Sequence, residues 1–160
     1  MLELLEIKKH LLAGEIDKAL LIVEDLEEMG RQGEIRNLEA FLVILLIHLI
    51  KIQVEKRLTN SWKSSIINSL LAIQKRNKVG KKAHYIYSQN WQEYLEDNFT
   101  PAIVSASREV FGGIDYAELK AKCDRASLLN FADSLLELTY LNNQDELVTE
   151  IENKLRKFCS

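Results

Sequence analysis

Apolar positions recur at helical spacing along nearly the whole chain. Residues 2–13 predict a first helix, which Gly14 closes as a C-terminal cap. Ile16, Leu20, Val23 and Leu26 fall on one stripe and predict a second helix over 15–29. Gly30 is expected to end it in a left-handed conformation that a side chain would make costly. A third helix is expected over 32–58, and it holds the strongest apolar run, residues 40–52. Thr59, Asn60 and Ser61 supply oxygens to cap a fourth helix over 62–78, with Trp62, Ile66, Leu70 and Ile73 on one face.

Residues 78–89 break the pattern and predict a loop. Asn90 with Glu93 matches a capping box and opens a short helix to residue 98. Thr100 followed by Pro101 reads as an N-cap and first helical position, starting a separate helix that stops at Gly112 and Gly113. Asp115 with Glu118 opens another short helix, Asp124 caps one over 125–141, and Asn143 with Glu146 opens the last. No alternation of strand period and no internal repeat interrupts this series. The expected fold is all-α, a single-domain multi-helix bundle around a central apolar helix at about 35–58. A helical bundle over 1–124 is joined by a C-terminal helical pair, 125–160, packing on it.

Composition sharpens this in three ways. One proline and six glycines leave few helix breakers. With 47% apolar and 28% charged residues, the chain can bury a core without disulfides, so the distant Cys123 and Cys159 read as reduced thiols of a cytoplasmic protein. The apolar run is 13 residues long and carries His48 and Lys51, whereas a membrane span needs about 20. It therefore reads as a buried bundle helix, with no membrane contact expected, and acids among the first leucines argue against a signal peptide.

Several phrases resemble a known family. IVEDLEEMG at 22–30, ILLIHLIK at 44–51, VEKR at 54–57 and SWKSSI at 61–66 follow one another as in the bacterial family called domain of unknown function twenty-nine. The likeness continues more weakly through NKVGKKA at 77–83 and ASREVFGG at 106–113. The resemblance implies an α-helical bundle and carries no activity, cofactor or substrate. The chain departs from the family pattern in lacking an aromatic-rich first helix and a proline-rich ending, and in adding the tail after residue 125.

The candidate chemistry is sparse. His48 with Glu24, Glu28 and Glu39 has the residue types of a carboxylate and histidine metal site. If helices two and three turn back at residues 31–32, Glu24 lies opposite Glu39. His48 is then roughly 13 Å further along, at 1.5 Å per residue, too far to share an ion. No metal, cofactor or catalytic residue is therefore expected. The acids at 24–28 sit where a helix C-terminus disfavours negative charge. They are either paired with Arg31 and Arg36 across the turn or form a patch that binds a partner or a cation. Trp62 beside Arg57 and Lys63 either fills a helix junction or, if exposed, stacks on a base or anchors a partner. Ser61 lacks a placed base and reads as a cap.

Charge is unevenly spread. Residues 51–84 hold nine bases against one acid, and residues 1–30 hold eight acids against three bases. A basic stretch of this kind can contact nucleic acid, yet the isoelectric point of about 5.7 is far from basic. The sequence thus favours a non-enzymatic interaction or regulatory bundle with an unidentified protein partner, through a candidate set of Glu24, Glu28, His48, Arg57, Trp62 and Lys63. The alternative is a nucleic-acid-associated protein using residues 51–84. The leucines of the tail either close the bundle over helices one and two or form a homodimer interface.

Overall fold

A computed structural model describes residues 2–159. Seven α-helices follow one another: α1 (Leu2–Leu12), α2 (Ile16–Glu55), α3 (Asn60–Arg76), α4 (Trp91–Ser107), α5 (Tyr116–Lys122), α6 (Arg125–Leu138) and α7 (Gln144–Cys159). Short 3-10 turns precede and follow α4. No strand is present among the described residues, only an isolated bridge between Val79 and Ala83. The fold is all-α, as the periodicity requires.

The largest departure from expectation is α2. The helix runs unbroken for 40 residues where a turn at Gly30 was expected. Gly30 and Gly33 both keep φ outside the left-handed region, which Gly14 does occupy at 76°. A helical glycine costs about 1 kcal/mol relative to alanine, too little to break a helix whose neighbours support it. Glu28 accepts from Arg31 and from Gln32, both at 3.1 Å, spanning the glycine along the helix. The register that set Glu24 opposite Glu39 therefore does not exist. Because the helix continues, α2 is also long and apolar enough, by length and composition alone, to cross a membrane.

A second merger occurs at Pro101, which lies inside α4 rather than at the start of a new helix. Pro101 and Asp97, whose carbonyl loses its usual partner, are both exposed to water. Leu95, Phe99, Ala102, Ile103 and Ala106 are buried on both sides of the proline. That continuous apolar stripe holds the helix together.

The chain divides into two compact units, one up to Arg36 and one from Asn37 onward. α2 contributes its first part to one and its second to the other. In the larger unit, Leu38, Leu42, Leu45, Leu46, Leu49 and Ile50 are fully buried. Ile66, Leu70 and Ile73 of α3 and Trp91 of α4 join the same core. The tail belongs to this core too. α6 packs on α4, and α7 packs on α3 and α6. Leu128, Leu135, Leu136, Leu147, Ile151 and Leu155 are buried. The tail's apolar faces are thus closed within the larger unit, against α3 and α4, and are not free for a second copy. Two glutamines fix the ends of α6. Gln53 bonds both the N–H and the carbonyl of Asp124, and Gln74 donates to the Leu141 carbonyl at 2.6 Å.

The smaller unit is different in kind. α1 has no buried residue, and among the described residues nine large apolar side chains of the unit are exposed, Leu12 by 90% and Leu2 by 75%.

Candidate interaction sites

Three places hold the side chains that sequence and structure single out. The first surrounds Trp62. Thr59 caps α3 by accepting from the Trp62 N–H at 3.1 Å, which fixes the start of the helix. Lys51 comes from the buried face of α2 and is 7% exposed. Its ammonium lies 5.5 Å from the Trp62 ring centre and 3.1 Å from Glu109. The Arg57 guanidinium lies over the same ring at 4.8 Å and also pairs with Glu55. Lys63 pairs with Glu152 of α7. The half-buried His48 donates from Nδ1 to the Ile44 carbonyl at 2.8 Å. Burial lowers its pKa, the Ile44 bond opposes that, Lys51 reinforces it and Glu109 opposes it. Phrases far apart in sequence, 44–51, 54–57, 61–66 and 106–113, therefore send His48, Lys51, Arg57, Trp62 and Glu109 to one neighbourhood.

Chemically this neighbourhood is closed on itself. An ammonium buried without a partner would be costly, so Lys51 requires Glu109 and the indole face. Three bases of the 51–84 segment, Lys51, Arg57 and Lys63, are already matched by carboxylates. The segment is thereby divided, and its net charge overstates what reaches a ligand.

The second place is the loop between α3 and α4. Asn77, buried at the end of α3, donates to the Ile86 carbonyl and accepts from the Ile86 N–H, both at 2.8 Å. Tyr140 donates to the same carbonyl at 2.6 Å and accepts from the Trp91 indole at 2.8 Å. His84 donates to the Asn77 carbonyl at 2.6 Å. Burial raises the Tyr140 pKa, against the bonds from Trp91 and Asn77. This clasp holds a tip turned at Gly80, where φ is 67°. Lys78, Lys81 and Lys82 of the tip line a depression of about 270 Å³ with His84, Thr139 and Tyr140. The same lysines lie near the C-terminal ends of α3 and α6, where positive charge offsets the helix dipole. Sequence reading found the basic cluster but not the clasp, because Asn77 and Tyr140 are 63 residues apart.

The third place is the N-terminal unit. His10 and Lys18 both bond the Glu15 carboxylate, at 3.2 and 2.6 Å, which lowers its pKa, the Lys18 bond more than the His10 bond. These bonds fix the turn between α1 and α2. Glu24 and Glu28 are exposed. Glu28 is held below the usual carboxylate range first by Arg31 and then by Gln32. Of the pairing expected across a turn, the Glu28–Arg31 pair is made along one helix. Among the described residues, no group of three or more His, Cys, Asp or Glu is arranged to hold a metal.

A family model described as domain of unknown function DUF29 matches residues 5–125. No curated protein and no solved structure matches the chain.

Proposed function

We propose that this chain, which belongs to the DUF29 family, is a non-enzymatic helical interaction module whose contact surface is the N-terminal unit of α1 and the first part of α2. One observation carries this reading. Among the described residues, nine large apolar side chains of that unit are exposed to water, against five in the much longer larger unit. Apolar exposure of this extent marks an interaction site in a folded protein. The test compares the tagged chain with a variant carrying Leu5→Asp and Leu12→Asp, both at exposed positions. After cross-linking in the native host, the wild-type chain is expected in adducts that the double variant loses and that Lys78→Ala with Lys81→Ala retains. Adducts indifferent to the leucine substitutions would overturn the reading.

A second reading is association with a phosphate-bearing polymer through the loop tip. It is favoured by Lys78, Lys81 and Lys82 sharing one depression that no carboxylate lines. Binding to a labelled oligonucleotide should then weaken steeply with added salt and vanish in the triple Lys→Glu variant. No binding at low salt rejects it.

A further inference from the structure

Resting on the reading of the N-terminal unit as a contact surface, we propose that its partner is a second copy of this chain, with the two α1 helices packed antiparallel across a two-fold axis.

Size is the first argument. A unit ending at Arg36 is below the roughly 40 residues under which a chain usually needs a disulfide, a metal or association to hold a fold. Ala19 and Ile35 are its only buried hydrophobic residues among those described. The unit therefore gains stability from being covered.

Area is the second. The nine exposed side chains, between 47% and 90% accessible, hold on the order of 1,000 Å² of apolar surface, against the roughly 800 Å² per partner of a standard interface. Leu2, Leu4, Leu5, Leu11 and Leu12 of α1 supply the larger part of this surface and Ile16, Leu20, Leu21 and Met29 of α2 the rest, so a pair of standard size draws on both helices.

Charge layout selects the partner. The acids of α1, Glu3 and Glu6, occupy its first half, and the bases Lys8 and Lys9 its second. Glu3, Glu6 and Lys8 form no ion pair among the described residues. In an antiparallel pair, each acidic half runs beside the basic half of the other copy, and the match is made twice by symmetry. A parallel pair would set like against like. The geometry of an ideal helix then brings Leu4 of one copy near Leu11 of the other, with Glu6 beside Lys9. A lipid surface fits less well. Interfacial helices carry lysine and arginine on their polar face, whereas residues 1–30 hold eight acids against three bases.

The experiment uses the full chain. Light scattering at tens of micromolar should give twice the chain mass, falling to a single chain in the Leu5→Asp, Leu12→Asp variant with helicity retained. In a background with Cys123→Ser and Cys159→Ser, oxidation of mixed Leu4→Cys and Leu11→Cys chains should yield a linked dimer that neither gives alone. A dimer that survives the aspartates, or one linked by Leu4→Cys alone, overturns the antiparallel pair. A monomer whose α1 leucines label freely overturns the second copy and leaves the contact surface standing. A monomer whose leucines are protected overturns both. Capture of the monomer by phosphatidylcholine–phosphatidylglycerol vesicles would assign the face to lipid instead.

Discussion

Folding shifts His48 toward its neutral form. Its imidazole is half-buried on α2 and spends its Nδ1 proton on the Ile44 carbonyl. Burial lowers its pKa below the ordinary 6.5, with the nearby Lys51 acting the same way. The unfolded chain, free of both effects, takes up a proton at higher pH than the folded one. Stability from this group is therefore complete above the unfolded pKa and is lost as pH falls through the folded value. Denaturant titrations between pH 7.5 and 5 should show wild-type stability falling more steeply than that of His48→Gln. Equal slopes would mean that His48 titrates as it does in the unfolded chain. Elsewhere at this scale, Cys123 is half-buried and burial pushes its thiol up to about 11. It is an inert thiol, in keeping with a packing role.

At the scale of elements, the buried half of α2 carries the larger unit. Leu45 is fully buried. Leu45→Ala is expected to cost about 2 to 5 kcal/mol, measured by denaturant unfolding. A loss below about half a kcal/mol would move the core elsewhere. Helix starts were largely legible from the sequence because capping is local. Thr59, Asp124 and Asn143 do accept from the N–H groups of Trp62, Ser127 and Glu146. Asn90 and Asp115 match the same pattern, yet their side chains make no cap bond. Helix ends and breaks were less legible. Gly30 and Pro101 are strong local punctuation, but a penalty of about 1 or 3 kcal/mol is weighed against what the rest of the chain packs on either side. α2 ends before 58 at Lys56, which takes φ 56° in the role usually given to glycine. Of the candidate residues, Arg57 and Trp62 could be paired from sequence because they are neighbours. The Lys51–Glu109 pair that completes their surroundings could not, being 58 residues apart.

Across the whole molecule, the match to DUF29 stops at residue 125, but the packed core does not. α6 and α7 supply six fully buried leucines and isoleucines to α3 and α4, and Gln53 and Gln74 are bonded to the ends of α6. A chain ending at Asp124 should therefore lose cooperative unfolding and expose apolar surface to a reporter dye. If the shortened chain melts as sharply as the full one, the tail is an addition rather than part of the core.

The unbroken α2 also has a consequence for how the protein meets a protease. Proteolysis needs a stretch of backbone to leave its helix for a moment, and the rate follows how cheaply that stretch opens. Gly30 and Gly33 each weaken the local helix by about 1 kcal/mol, and exposed Arg31 and Arg36 lie beside them. The two guanidinium side chains are trypsin targets set in turns that these glycines weaken. Brief digestion should cut there first, before the many basic residues from 51 onward, and mass spectrometry would read the fragments. Covering the N-terminal unit with a second copy should slow that first cut in proportion to the fraction of chain paired. The digestion rate would then fall with rising protein concentration, a kinetic signature that a monomer cannot produce.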